Sequence, residues 1–148
     1  MSGERRPRVF DIGYEGRDLE EFIAILKANG VVLLCDVRER PQSRKPGFSK
    51  TPLSEALAAA GIEYSGMKEI GCPPGIRYRF RGAEIDKEAF WAEYEEHLGT
   101  QGPDYAALVA LARERSTAIM CLERDFLDCH RAVIVRWLER DGFRCAHL

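Results

Sequence analysis

The sequence has no apolar run approaching the roughly 20 residues that a membrane-spanning helix needs. Residues 1–8 are charged and lack the apolar segment of a secretory signal. The chain also has no internal repeat and no low-complexity stretch. We therefore expect one soluble domain over residues 1–148, located in the cytosol and without a membrane partner.

Cysteine is present in an odd number, five, so the thiols cannot all pair within the chain. A domain of 148 residues also buries enough core to fold without disulfides. Cys35 and Cys145 lie in apolar segments and are typical of buried structural cysteines. Cys72, Cys121 and Cys129 lie beside turns and polar residues, which makes these three the candidates for thiol chemistry.

A strong charge of one sign is also missing, because the net charge is only −2. Positive charge is nevertheless concentrated in two segments of an otherwise acidic chain. Residues 38–50 carry five basic side chains and one acidic side chain, and residues 77–81 alternate arginine with aromatic residues. The alternation suits phosphate contact and base stacking in nucleic-acid binding, and it equally describes a strand with two faces.

Short apolar runs alternate with segments of helical periodicity along most of the chain. Strands are predicted over residues 8–12, 31–36, 62–65, 117–122 and 143–148. Helices are predicted after residue 18, from residue 51, and over residues 86–98, 103–113 and 128–140, with long loops over 37–50 and 66–85. This order predicts an α/β fold, a single three-layer domain with a mostly parallel sheet and helices on both faces.

Polar and reactive residues follow several predicted strands, at the sheet edge where ligands bind in such folds. Cys121 lies near the end of the fourth strand and Glu123 follows it, and Cys129, His130 and Arg131 are predicted in the first turn of the next helix. Asp128 is the predicted cap of that helix. Free backbone N–H groups at a helix start favour a reactive thiol, so Cys129 is a candidate nucleophile.

Three interpretations of this segment stay open. It is a reactive thiol with His130 as base, a metal site of Cys121, Cys129 and His130 with Glu123 or Cys72 as a further ligand, or a structural element. The spacing of these residues matches no standard zinc pattern, so the sequence assigns no metal ligand. The sequence identifies no cofactor and no oligomeric state either. It also matches neither the phosphatase loop nor the glycine-rich nucleotide loop.

The second strand is followed by an Asp-x-Arg sequence, Asp36 to Arg38. A bidentate pair between them would orient the guanidinium of Arg38 toward an anionic substrate, or would only brace the following loop.

These segments together resemble a family of bacterial and archaeal proteins known as domain of unknown function 488, over nearly the whole chain. The matching stretches are residues 11–14, 36–38, 61–64 and 121–123, Pro41, Ser43, Arg44, Pro46, Gly47, Phe48, Gly71, and residues 129–131. The usual Gly-His-Ser of the family reads Gly13-Tyr14-Glu15 here, so Tyr14 would change any chemistry that uses that histidine. The resemblance implies an α/β fold and a shared site, and it implies no reaction.

The sequence predicts an enzyme, a thiol-dependent hydrolase or transferase, that acts on a phosphate-bearing substrate such as a nucleotide or nucleic acid. Cys129 or Cys121 would be the nucleophile or redox group, and His130, Glu123 or Asp36 would move protons. The predicted substrate-binding residues are Arg38, Arg131, Ser43, Arg44 and Tyr14.

Two alternatives remain beside the enzyme. One is a non-catalytic nucleic-acid-binding domain that uses the basic residues Arg44, Lys45, Lys50, Arg77, Arg79 and Arg81. The other is a thiol or metal sensor that works through Cys121 and Cys129.

Overall fold

A computed structural model describes residues 6–148, and its strands form one five-stranded parallel sheet. The strands are β1 (Arg8–Gly13), β2 (Leu33–Asp36), β3 (Glu63–Gly66), β4 (Thr117–Cys121) and β5 (Arg144–His147). They lie in the order β3-β2-β4-β1-β5. The predicted α/β fold with a parallel sheet is confirmed.

Helices cover both faces of this sheet. The α-helices are α1 (Leu19–Ala28), α2 (Lys50–Ala59), α3 (Pro74–Arg81), α4 (Lys87–Gly99), α5 (Gly102–Glu114) and α6 (Arg131–Arg140). Side chains of α1 and α2 pack in the core of one face, and those of α3 to α6 pack in the core of the other. The predicted three-layer arrangement is therefore present, and no helix within residues 6–148 is long and apolar enough to cross a bilayer.

The central strands are apolar on both faces, which explains their continuous hydrophobic runs. Successive side chains of a strand point to opposite faces. Accordingly, Val9 and Leu33 belong to the core under α3 to α6, and Phe10 and Leu34 belong to the core under α1 and α2.

Residues 66–85, predicted as a long loop, instead contain a 3-10 helix (Lys68–Ile70) and the helix α3. The interpretation of residues 77–81 as a strand with two faces is wrong. Ile76 and Phe80, four residues apart, pack against the core from one side of this helix, which is the helical spacing. This helical spacing is hard to recognise in the sequence, because the helix has only eight residues and glycines lie in it and directly after it.

The start of α6 also differs from the prediction. Asp128 lies in a 3-10 helix (Phe126–Asp128), and Asp125 caps that turn by accepting a hydrogen bond from Leu127 N at 2.9 Å. Helix α6 begins at Arg131, so the prediction of Asp128 as its cap is wrong. Cys129 and His130 therefore precede the helix and do not form its first turn.

The connections from neighbouring strands diverge at the carboxyl end of the sheet. The chain leaves β1 toward α1 on one face, and it leaves β4 toward α6 on the other. Ligands of open parallel sheets bind in the crevice that such a divergence creates. Gly13 ends β1 there, and a Cβ at this residue would lie 1.8 Å from the backbone oxygen of Glu123. The close approach of the end of β1 to the backbone that follows β4 therefore requires a glycine at position 13.

We expect Gly13→Ala to lower the free energy of unfolding by about 2–3 kcal/mol, because the added methyl group overpacks against backbone that cannot rotate away. Urea denaturation followed by circular dichroism measures this change. Gly99→Ala is the matched control, since a Cβ at Gly99 meets nothing within 4 Å. That variant should gain up to about 1 kcal/mol. Equal stability of the two variants would contradict the close contact at Gly13.

Candidate functional site

A cleft of about 1050 Å³ lies beyond the carboxyl ends of the central strands. Tyr14 follows β1, Arg38 follows β2, and Cys121 ends β4. The loop after β2 and the helix α3 supply much of the remaining lining, including Arg44 and Tyr78. The cleft therefore occupies the crevice that the topology predicts.

Three buried side chains with metal-binding or nucleophilic atoms meet at the floor of this cleft. The sulfurs of Cys121 and Cys129 and a ring nitrogen of His130 all lie within 4.8 Å of one another. Cys121 and His130 line the cleft, and Cys129 lies behind them. The structure thus brings together residues that the sequence placed on either side of a loop.

The tautomer of His130 follows from its hydrogen bonds. Nε2 lies 2.7 Å from the carbonyl oxygen of Val37, and a carbonyl only accepts, so Nε2 carries the proton. In the neutral ring, Nδ1 then has a free lone pair. That nitrogen lies 3.5 Å from Cys129 Sγ. His130 is therefore oriented to take a proton from Cys129 or to coordinate a metal ion.

The two sulfurs differ in their surroundings. A hydrogen bond to Cys129, together with burial, raises the pKa of Cys121 well above its ordinary value. Cys121 is therefore a neutral thiol at pH 7. Cys129 Sγ accepts a hydrogen bond from the backbone N–H of Arg131 at 3.4 Å. Burial also raises the pKa of Cys72, to about 12, which leaves this thiol neutral as well.

Arg131 is fully buried and does not line the cleft. Its Nε donates to Asp11 Oδ1 at 3.2 Å, and its Nη2 donates to the backbone oxygen of Glu123 at 2.7 Å. The same Asp11 also forms a hydrogen bond with His147. The guanidinium expected to hold substrate therefore ties β1 and β5 to the loop that follows β4.

Asp36 and Arg38 form the bidentate pair that the sequence allowed. Arg38 Nε and Nη2 donate to the two carboxylate oxygens at 2.8 Å and 2.7 Å, and Tyr64 donates to Oδ2 at 2.6 Å. Arg38 Nη1 donates to the backbone oxygen of Phe48 at 2.7 Å and to the hydroxyl of Tyr14 at 3.3 Å. The pair is buried, and its observed contacts hold the loop between β2 and α2 in place.

Tyr14, a predicted substrate-binding residue, is buried against this loop. Its ring stacks on Phe48 with centroids 4.5 Å apart, and the guanidinium of Arg38 lies over the ring. This tyrosine therefore helps to fix the wall of the cleft.

The cations of the cleft walls are of two kinds. Arg77 is engaged, since it contacts Glu39 at 3.4 Å and donates to the backbone oxygen of Cys72 at 2.9 Å. Arg40 and Arg44 are exposed, and neither has a carboxylate partner among residues 6–148. Arg81, a further half-exposed lining residue, lies 3.8 Å from Glu123. Arg40 and Arg44 are therefore the guanidinium groups of the lining without a carboxylate partner among residues 6–148.

Of the other predicted binding residues, some line the cleft and others lie outside it. Ser43 lines the cleft, and its side-chain oxygen accepts from the backbone N–H of Lys45 at 3.1 Å. Arg79 forms an ion pair with Glu93 and does not line the cleft. Lys45 and Lys50 are also absent from the lining. The basic residues of the nucleic-acid-binding alternative thus do not all face this cleft.

One residue of the site escaped the sequence-based prediction. Tyr78 lies on the cleft wall with 58% of its surface exposed, and only its membership of the arginine–aromatic segment pointed to it. Glu123, a predicted proton-transfer residue, also lines the cleft. Its Oε1 lies 3.8 Å from Arg81, and its Oε2 is buried without a hydrogen-bond partner among residues 6–148.

The family described as domain of unknown function DUF488 matches residues 18–138 of this chain. The matched part includes the cysteines and the histidine of the cleft floor and the Asp36–Arg38 pair, and it begins after Tyr14. No curated protein and no solved structure matches the chain. Because the match covers well over half of the sequence, the chain belongs to the family of domain of unknown function DUF488.

Proposed function

We propose that the protein is an enzyme that acts on a phosphate-bearing substrate of nucleotide size bound in this cleft. The observation that carries the proposal is the meeting of a buried Cys121–Cys129–His130 cluster with exposed guanidinium groups in one cleft. A volume of about 1050 Å³ matches the upper size of small-molecule sites.

Arg40 and Arg44 are the proposed phosphate-binding groups. Three of the acidic side chains that line the cleft contact a cation. Glu39 lies 3.4 Å from Arg77, Glu123 lies 3.8 Å from Arg81, and Asp128 forms an ion pair with Lys87 at 3.0 Å. Free guanidinium groups bind phosphate oxygens in a bidentate manner. They suit this role better than Arg38 and Arg131, whose donors are largely engaged within the protein.

Tyr78 favours a nucleotide over other phosphate-bearing substrates. Its ring is exposed on the cleft wall, and the guanidinium of Arg77 lies 5.3 Å from the ring centroid. An aromatic face beside cations binds a base by stacking while the cations bind the phosphate.

The cluster at the floor would carry the reaction. Cys121, which lines the cleft, can act as the nucleophile and pass its proton through Cys129, its hydrogen-bond partner, to His130 Nδ1. The same three residues can instead hold a metal ion. Both uses require Cys129. Glu123, with its unpartnered Oε2 in the cleft, is the proposed group for proton transfer. Asp36 is less suited to that role because Arg38 and Tyr64 already occupy its oxygens.

We expect Arg44→Ala to weaken the binding of adenosine monophosphate about tenfold, because a charge-assisted hydrogen bond to phosphate is lost. Isothermal titration calorimetry at low salt measures the effect. Arg140→Ala is the matched control, since Arg140 is an exposed arginine outside the cleft lining. An equal loss in both variants, or no nucleotide binding by the wild type, would contradict the proposed phosphate site.

For Tyr78→Ala we expect nucleotide binding to weaken by about 5- to 150-fold, since stacking on an aromatic ring contributes about 1–3 kcal/mol per base. Binding of inorganic phosphate should stay unchanged, and Tyr78→Phe should retain nucleotide binding. Competition titrations with the two ligands separate these effects. A similar loss for both ligands would show that Tyr78 does not contact a base.

Cys129→Ser should lower turnover by about a thousandfold or more, because Cys121 loses the partner that takes its proton, or the metal ion loses a ligand. Turnover is measured on the nucleoside mono-, di- or triphosphate that the wild type converts in a screen. Thermal unfolding followed by circular dichroism checks that the variant stays folded, and Cys145→Ser serves as the control outside the cluster. A fully active Cys129→Ser variant would rule out this role for the cluster.

A further inference from the structure

The cluster at the cleft floor assembles ligands from two parts of the chain. Cys121 is the last residue of β4, and Cys129 and His130 immediately precede α6. The intervening residues 122–128 form the loop and 3-10 turn that bring the two parts together. Because this turn sets the spacing between the ligands in the sequence, that spacing differs from the short motifs of zinc fingers.

The distances in the cluster suit a tetrahedral metal ion. Zinc binds sulfur at about 2.3 Å and imidazole nitrogen at about 2.0–2.1 Å, which places the two ligand atoms about 3.6 Å apart in a tetrahedron. Cys129 Sγ and His130 Nδ1 are 3.5 Å apart. The sulfur of Cys121 lies within 4.8 Å of Cys129 Sγ and of a ring nitrogen of His130, so a small side-chain adjustment completes three ligands.

The surrounding hydrogen bonds orient these ligands. Metal-bound histidines usually donate their second ring N–H to a carbonyl or carboxylate, which fixes the tautomer. The Nε2 of His130 does so toward the carbonyl oxygen of Val37 at 2.7 Å, and it leaves Nδ1 for the metal. The backbone N–H of Arg131 supports the sulfur of Cys129 in the same way.

The ligand types select the metal. Two thiolates neutralise a divalent cation, so the complete site carries no net charge into its buried surroundings. Two sulfurs and an imidazole favour zinc over magnesium or calcium, which take oxygen ligands.

We infer that Cys121, Cys129 and His130 bind one Zn²⁺ ion with a fourth coordination position open to the cleft. Cys121 and His130 line the cleft, and the unpartnered Oε2 of Glu123 lies in the same lining. Three protein ligands with an open position is the arrangement of catalytic zinc sites, whereas structural sites have four protein ligands. Binding of the ion does not depend on the proposed function, and only its use in a reaction rests on that proposal.

The test uses the full-length chain, treated with a chelator, dialysed and reloaded with Zn²⁺ alone or with Co²⁺ alone. Elemental mass spectrometry should find one zinc per chain in the wild type. The cobalt form should show sulfur-to-cobalt charge-transfer absorption and the intense visible bands of a tetrahedral site. Cys121→Ser, Cys129→Ser and His130→Ala should each lose the stoichiometric zinc and change the cobalt spectrum.

Cys145→Ser is the matched control, because this cysteine lies outside the cluster and should leave one zinc per chain. A wild type that binds neither metal, or a Cys129→Ser variant that keeps its zinc, would overturn the inference. The wild-type cobalt spectrum tests it even if a variant fails to fold. Nucleotide calorimetry is read separately, so zinc binding without nucleotide binding would uphold the zinc site and overturn the proposed function.

Discussion

The buried guanidinium of Arg131 is the interaction on which the site depends most. A charged group with 0% exposure needs nearby groups to replace its lost hydration. Here Asp11 and the backbone oxygen of Glu123 accept from Nε and Nη2, whereas Nη1 has no hydrogen-bond partner among residues 6–148. These contacts join β1 to the loop after β4 at the start of α6. The same residue donates its backbone N–H to Cys129, so the position of this sulfur is set by the strands around it.

A second buried pair fixes the other side of the cluster. Asp36 and Arg38 hold each other and the loop after β2, and Val37 lies between them in the chain. Its carbonyl oxygen accepts the ring N–H of His130. The orientation of the imidazole therefore depends on a loop that an ion pair holds, and the cluster is organised before any ligand binds. Such preorganisation is what a catalytic or metal-binding group requires.

The sequence predicted the elements whose signal is a continuous apolar run. The strand that ends at Cys121 and the strand that ends at Asp36 were found in this way, and their alternation with helices predicted the parallel sheet. The rule that ligands bind at the carboxyl ends of such strands then selected several residues that line the cleft, among them Tyr14, Arg38, Glu123 and His130. The strands, the sheet and its ligand-binding edge can be predicted from the sequence, because they depend on local hydrophobic pattern and on general rules of topology.

The remaining features depend on contacts that no local pattern encodes. Helix α3 shows only Ile76 and Phe80 to the core, and α6 starts late because a 3-10 turn intervenes. The pairing of Arg38 with Asp36 could be predicted from their spacing, but the bond of Arg38 to the backbone oxygen of Phe48 could not. Nothing in the sequence indicated that Arg131 is held by Asp11 and the backbone oxygen of Glu123. Because Arg38 and Arg131 are bound within the protein, the proposed anion site consists of Arg40 and Arg44, which lack such buried partners.

The most direct test of the central claim, that this cleft is the functional site, is a crystal structure of the protein with adenosine monophosphate. The account predicts the phosphate against Arg40 or Arg44, the base on Tyr78, and the ligand over Cys121 and His130. A nucleotide bound at another surface, with no ligand in the cleft, would contradict it.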